Sequence, residues 1–73
     1  MRVTEEGNMV LVNGTPRPLG GAQTLAQLFD ALGVNAAQKA VERNGEIVSA
    51  TALEQTPVMP NDRIEIIQFV GGG

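Results

Sequence analysis

Two Asn-Gly dipeptides, Asn13-Gly14 and Asn44-Gly45, each follow a short run that contains valine and other apolar residues. An Asn-Gly pair supplies the two positive-φ residues of a type I′ turn, the connection that best matches the twist of two antiparallel strands. The sequence therefore predicts two β-hairpins. The first hairpin begins with Met9–Val12 and returns near Arg17–Leu19.

The two hairpins supply four strands, and proline indicates where one of them lies. The return strand of the first hairpin is preceded by Pro16 and contains Pro18. Because proline has no N–H to donate to a neighbouring strand, we expect this strand at an edge of the sheet. The second hairpin pairs Ala40–Arg43 with Glu46–Val48.

A single helix is predicted between the hairpins. Thr24–Gln27 has the form of a capping box, in which the Thr24 hydroxyl accepts the Gln27 N–H and the Gln27 side chain reaches back. The helix then begins at Leu25, and Gly33 ends it from the C′ position. Its apolar residues recur at the i, i+3, i+4, i+7 spacing of one helical face, and they are Leu25, Leu28, Phe29 and Leu32. We interpret this face as core, because a domain of this size has no other helix to cover its sheet.

The last predicted element is a strand over Arg63–Val70, which is rich in β-branched residues. Pro57 and Pro60 bracket an irregular stretch before it, and Asn61 is a residue that tolerates positive φ at the turn into the strand. A short segment at 52–55 is too short to form a stable helix alone. The elements thus follow the order hairpin, helix, hairpin, irregular crossover and strand.

This order predicts an α+β domain in which a mixed sheet of about four to five strands packs on one main helix. It is typical of the β-grasp, or ubiquitin-like, fold. We expect residues 1–8 to form a leader that is frayed or partly paired, residues 9–70 to form the β-grasp domain, and residues 71–73 to form a flexible functional tail.

The composition argues against catalysis by this chain alone. The 73 residues include no histidine and no cysteine, so the common neutral-pH base, the Cys nucleophile and the usual soft metal ligands are absent. Ser49 and the threonines therefore have no histidine to activate them. Glu5 and Glu6 are adjacent and lack a third ligand, so we expect solvated carboxylates there and no metal site. We predict a protein that is not an enzyme and that holds no cofactor.

Charge and hydropathy exclude two further classes of function. The net charge is −3 and Lys39 is the only lysine, so the chain offers no basic stripe for nucleic acid. The sequence also lacks the apolar run of about 18 residues that a membrane span needs. We expect a cytoplasmic protein that is monomeric when free. The acidic surface suits a basic partner, but it equally serves solubility.

The glycines Gly71, Gly72 and Gly73 follow the last strand directly. Residues without a Cβ atom can pass through a cleft one peptide wide, so such a tail can carry its terminal carboxylate into the active site of another protein. Fully extended, the segment from Val70 to Gly73 spans about 13 Å. The alternative is an inert or disordered terminus. We predict that Gly73 is the reactive residue.

The face of the last strand that does not face the core is a candidate docking surface. If Ile64 and Ile66 face the core, the two-residue period of a strand places Ile67 and Phe69 on the opposite face, beside the tail. Both then become exposed apolar contacts for a partner. The alternative is that both side chains are buried in the core. We therefore expect Ile67, Phe69, Val70, Gly71 and Gly72 to bind partner proteins.

A family resemblance spans roughly Met9 to Gly73, and three segments carry most of it. The segments Ala40–Val48, Asp62–Ile67 and Val70–Gly73 resemble the sulfur carrier family of thiamine biosynthesis, ThiS. A diglycine end is shared with ubiquitin-like modifiers and with the small subunit of molybdopterin synthase. The Val-Asn-Gly opening and the Asn-Gly-Glu hairpin look more like ThiS.

The resemblance implies a sulfur carrier whose Gly73 carboxylate becomes a thiocarboxylate. A ubiquitin-activating-type adenylyltransferase of the ThiF type would adenylate Gly73, and the ATP and magnesium would belong to that enzyme. A cysteine desulfurase would be the sulfur source. Thiazole synthase would then use the sulfur to build the thiazole moiety of thiamine.

Other functions stay open at this stage. The chain resembles, at its tail, carriers that supply sulfur for molybdopterin or for another sulfur-containing metabolite. It also resembles modifiers that form isopeptide bonds with lysine. A plain interaction module with an inert tail is the third possibility, and deleting Gly73 would then change nothing.

Overall fold

The computed structural model describes residues 8–37 and 39–68 of the 73-residue chain. Within these ranges the backbone forms five strands, one α-helix and one short 3-10 turn. In chain order the elements are β1 (Met9–Val12), β2 (Thr15–Pro18), α1 (Leu25–Leu32), β3 (Lys39–Arg43), β4 (Glu46–Val48), the 3-10 turn Ala50–Ala52 and β5 (Arg63–Gln68). The predicted leader residues 1–7, the last two residues of the predicted final strand and the tail 71–73 lie outside the described residues.

Both predicted hairpins are confirmed. Asn13 and Asn44 have φ angles of 52° and 54°, and the glycine after each also has positive φ, as a type I′ turn requires. The return strand of the first hairpin is β2, however, and it occupies Thr15–Pro18 instead of Arg17–Leu19. Pairing resumes at once after a two-residue turn, so Val12 faces Thr15. Leu19 lies beyond the strand and is buried in the core.

The strands form one mixed sheet in the order β2-β1-β5-β3-β4. β1 and β5 are parallel, and the other neighbouring strands are antiparallel. The proline-containing β2 lies at an edge, as predicted, since neither of its prolines can donate to a second neighbour. With one helix on the sheet, this arrangement is the predicted α+β, ubiquitin-like β-grasp.

Helix α1 begins and ends where the sequence predicts. The Thr24 hydroxyl accepts the Gln27 N–H at 3.2 Å, and Gly33 ends the helix with φ 73°. The capping box differs in one bond, because Gln27 Oε1 accepts from the backbone N–H of Gln23 at 2.8 Å, one residue before the N-cap. The Gln27 side chain therefore satisfies the backbone N–H of Gln23 instead of the backbone N–H of Thr24.

The core lies between α1 and one face of the sheet. Its buried residues are Val10, Val12, Leu19, Leu25, Leu28, Phe29, Val41, Val58 and Ile64. Three of the four predicted helical positions are therefore buried, and Leu32 packs against them while partly exposed. Over the part of the chain described, no helix has the length and apolar character to cross a membrane.

Candidate functional site

The strand that precedes the glycine tail is the central strand of the sheet. β5 pairs in parallel with β1 as far as Ile64 and antiparallel with β3 as far as Gln68. The start of β5, at Arg63 and Ile64, thus lies between two strands. The five residues that follow Gln68 include the predicted reactive residue and most of the predicted partner contacts, namely Phe69, Val70, Gly71, Gly72 and Gly73, and they lie outside the described residues.

The asparagines of both hairpin turns reach across to β5. Asn44 Oδ1 accepts the backbone N–H of Arg63 at 2.9 Å, at the start of the strand. Asn13 Oδ1 accepts the backbone N–H of Ile66 at 2.7 Å, and Asn13 Nδ2 donates to the Ile66 carbonyl at 3.4 Å. Each turn therefore reverses the chain between two strands and also, through its asparagine side chain, binds the strand that leads to the tail.

A buried carboxylate fixes the entry into β5. Asp62 is 7% exposed. Its Oδ2 accepts from Arg43 Nε at 2.8 Å and from the Met59 N–H at 2.8 Å, and its Oδ1 accepts from Asn44 Nδ2 at 3.0 Å. Burial alone would raise the pKa of this carboxyl, but the hydrogen bonds donated to it outweigh burial, so the pKa lies below its ordinary value. Asp62 is charged at neutral pH and serves to position the strand.

The sheet face opposite α1 carries exposed apolar side chains. Ile64 is fully buried and Ile66 packs against the core, whereas Ile67 is 46% exposed. The prediction that Ile67 is exposed is thus confirmed, and the alternative that it is buried in the core is wrong. Ile47, on the edge strand β4, is 70% exposed. Phe69, the second predicted contact, lies outside the described residues.

Two acidic residues lie beside these apolar side chains. Glu42 faces Glu65 directly across β3 and β5, and Glu42 also faces Ile47 across β3 and β4. Residues that face each other in antiparallel strands lie on the same face of the sheet. We call this surface the open face, and it consists of Ala40, Glu42, Ile47, Arg63, Glu65 and Ile67.

The described residues bring together one predicted contact and several groups that sequence reasoning missed. Ile67 lies on the open face as expected. The side-chain functions of Asn13, Asn44 and Asp62 were missed, because no short motif marks hydrogen bonds between residues 18, 19 or 53 positions apart. In the described ranges, no cluster of three or more acidic side chains is arranged to hold a metal ion.

A protein-family comparison decides the family. The model of the ThiS family matches residues 10–73. The chain belongs to the ThiS family. The ThiS match runs from β1 through the glycine tail, so it includes the open face and Gly73.

Curated relatives of this ThiS-family chain fall into two groups by length. The sulfur carrier protein ThiS of Thermus thermophilus is 34% identical over 65 residues, which cover 89% of this chain and 100% of the relative. The thiazole synthase of Paramagnetospirillum magneticum is 39% identical over 64 residues, which cover 88% of this chain but 20% of the relative. The thiazole synthase of Magnetococcus marinus is 36% identical over 62 residues, and the match covers 85% of this chain and 19% of that protein. The chain thus spans about a fifth of the length of these two thiazole synthases.

Solved structures show the same fold. The crystal structure of the thiamine biosynthesis protein ThiS from Geobacter metallireducens has a TM-score of 0.75 and 37% identity, and the match covers 89% of this chain and 99% of that one. An NMR structure of a thiamine biosynthesis protein from the same organism has a TM-score of 0.65, also at 37% identity. Both ThiS-like structures support the β-grasp architecture.

Proposed function

We propose that this chain is a sulfur carrier that delivers sulfur from its Gly73 thiocarboxylate for synthesis of the thiazole moiety of thiamine. The observation that carries the proposal is the ThiS family match, which extends through Gly73. The full-length similarity to the Thermus thermophilus sulfur carrier supports it. The chain acts as a co-substrate of partner enzymes, in the cytoplasm where ATP is available.

The proposed chemistry requires two displacements at the tail. In the first, a Gly73 carboxylate oxygen attacks the α-phosphorus of ATP, a C–O–P linkage forms and pyrophosphate leaves. In the second, a sulfur nucleophile attacks the acyl carbon, a C–S bond forms and AMP leaves. If the sulfur arrives as a persulfide, the product is an acyl disulfide; a thiol then attacks the donor's sulfur, forms a new disulfide with it and releases the acyl thiolate. The ATP and magnesium are bound by the adenylyltransferase, and none of these steps needs a cysteine in the carrier.

Three partners follow from this proposal. A ubiquitin-activating-type adenylyltransferase activates Gly73, and a cysteine desulfurase supplies the sulfur. Thiazole synthase receives it, which is consistent with the segments similar to this chain in the two thiazole synthases. We expect Phe69, Val70, Gly71 and Gly72 to line the path of the tail into each enzyme.

The open face supports docking of a partner next to the tail. Ile67 is exposed and is the next-to-last residue of β5, which ends at Gln68. Five further residues reach Gly73, a distance of about 16 Å when extended. An enzyme that covers Ile67 can therefore hold Gly73 in an active site beyond its docking surface. The acidic pair Glu42 and Glu65 favours a basic side chain on that enzyme.

The proposed function is tested by intact mass. The protein is incubated with ATP, magnesium, a ThiF-type adenylyltransferase, a cysteine desulfurase and cysteine, and a variant lacking Gly73 serves as the control. We expect a gain equal to the replacement of one oxygen by sulfur, absent from the control. No change with enzymes that thiolate a known ThiS carrier would contradict the proposal. Conjugates of higher mass linked through Gly73 would identify a protein modifier instead.

A further inference from the structure

Strand β5 loses one of its neighbours before it reaches the tail. β1 pairs with β5 as far as Val12 beside Ile64, and the Asn13 N–H then donates to the Ile64 carbonyl at 2.8 Å. At Gly14 the chain turns away into β2. On the other side, β3 continues to pair with β5 as far as Gln68. Beyond Ile64, therefore, the backbone of one whole side of β5 has no strand neighbour among the described residues.

The side chain of Asn13 takes the place of that neighbour. Its Oδ1 accepts the N–H of Ile66 at 2.7 Å and its Nδ2 donates to the carbonyl of the same residue at 3.4 Å. These are the donor and acceptor that a strand residue would supply. The positive φ of Asn13, 52°, belongs to the turn and leaves the side chain free to make this contact. Ile66 is thereby held on both sides, although β1 has ended.

We infer that Asn13 is a positioning residue for the activation of Gly73. The inference rests on the proposed function. Four residues, 67–70, separate Ile66 from the tail at Gly71. Because Asn13 restrains Ile66 on the side that β1 has left, where β3 alone would otherwise hold the strand, the adenylyltransferase has less chain to immobilise when it captures the tail. Loss of the Asn13 side chain should then weaken capture of the carrier without altering the chemistry on Gly73.

The second hairpin provides a matched control. Asn44 occupies the same position of the same turn type, with φ 54°. Its side chain binds the Arg63 N–H and Asp62 Oδ1, at the far end of β5 from the tail. Asn44→Gly removes as many side-chain hydrogen bonds as Asn13→Gly and keeps a residue that accepts positive φ. A general loss of stability should therefore affect the Asn44 variant at least as strongly.

The experiment compares Asn13→Gly, Asn44→Gly and the unsubstituted chain in ATP–pyrophosphate exchange catalysed by a ThiF-type adenylyltransferase. Rates are measured against carrier concentration, at a temperature at which circular dichroism shows all three chains folded. In Asn13→Gly, about one residue of β5 that is ordered in the free unsubstituted chain becomes ordered only when the enzyme binds, and this entropy cost weakens binding. KM for Asn13→Gly should therefore rise about 5- to 10-fold while kcat stays unchanged. For Asn44→Gly, KM should stay close to that of the unsubstituted chain.

Amide hydrogen exchange tests the structural premise on the same samples. Protection of the Ile66 amide should fall in Asn13→Gly and persist in Asn44→Gly, with the reverse at Arg63. Unchanged protection of Ile66 in Asn13→Gly would overturn the inference, and so would an equal KM increase in both variants. An unsubstituted chain that is folded but supports no exchange, with an enzyme active on a known carrier, would overturn the proposed function and the inference with it. Exchange by the unsubstituted chain with an unchanged KM for Asn13→Gly would overturn the inference alone.

Discussion

Arg43 donates its Nε–H to Asp62 Oδ2 at 2.8 Å, and this ion pair joins the end of β3 to the residue that precedes β5. Arg43 is partly exposed, whereas Asp62 is nearly buried. The same carboxylate also accepts hydrogen bonds from the Met59 N–H and the Asn44 amide. The end of the first strand of the second hairpin and the segment 59–62, which lie 18 to 19 residues apart in sequence, are therefore joined at one end of the central strand.

Asp62→Ala should destabilise the domain by about 2 to 3 kcal/mol, because it leaves three donors without their acceptor at a poorly solvated site. The measurement is the free energy of unfolding from urea denaturation. Asp30→Ala is the matched control, since Asp30 is exposed on α1. A similar loss for both variants would show that the Asp62 network adds no stability of its own.

Stability should fall in acid partly through Asp62. The folded-state pKa of this carboxyl is lowered, so the unfolded chain binds its proton more readily than the folded chain does. The stabilisation is complete above the unfolded pKa of about 3.9 and is lost as the pH falls through the lower folded value. Urea midpoints measured from neutral pH into acid should show a smaller decrease for Asp62→Ala than for the unsubstituted chain. Parallel curves would contradict this assignment.

Glu42→Lys should stabilise the domain. Glu42 faces Glu65 directly across two strands, and like charges in that position are unfavourable. The substitution creates an opposite-charge pair, so we expect a gain of about 0.5 kcal/mol at low salt that decreases as salt is added. Thermal denaturation at two ionic strengths measures it. Glu46→Lys is the control, because Glu46 faces Arg43 across β3 and β4 and should change stability in the opposite direction.

Ile67→Ser should weaken binding to the activating enzyme while leaving the fold intact. The side chain is 46% exposed, so its loss removes little core packing. Binding of the ThiF-type enzyme is measured by titration calorimetry, with thermal stability measured on the same sample. Met59→Ser is the matched control, because Met59 is 55% exposed but precedes β5, at the end away from the tail. Equal effects of both substitutions on binding would argue against docking at Ile67.

Phe69→Ser is the corresponding prediction for a residue outside the described part of the chain. The two-residue period of β5 relates Phe69 to Ile67, so we expect weaker binding to the activating enzyme and unchanged folding. Circular dichroism and the same calorimetric titration measure the two effects. A large loss of thermal stability would instead indicate a core position for Phe69.

The elements that could be predicted from the sequence depend on local chemistry. Asn-Gly pairs predicted both turns, the prolines predicted the edge position of β2, and the apolar spacing predicted α1 with its end at Gly33. The starting residue of β2 was wrong by two positions, because the prediction did not apply the register that a two-residue turn imposes. Local patterns thus predicted which elements form, and less accurately where each begins.

The contacts at β5 could not be predicted in the same way. Asn13 and Ile66 are 53 residues apart, and Asp62 is 18 residues from Asn44. Such pairs meet only after β5 has been placed between β1 and β3. The ThiS resemblance predicted the family and the fold. The functions of Gly73 and its neighbours stay predictions until the sulfur transfer is measured.

The strand order also determines which parts of the domain can unfold separately. β2 and β4 form the two edges of the sheet, and each has one neighbour. Such edges can open at a small fraction of the global free energy of unfolding, whereas the first part of β5, Arg63 and Ile64, has a strand on each side and opens only with most of the domain. Fraying at either edge therefore leaves β5 in place. An enzyme that pulls on the tail acts against the cooperative unit of the fold.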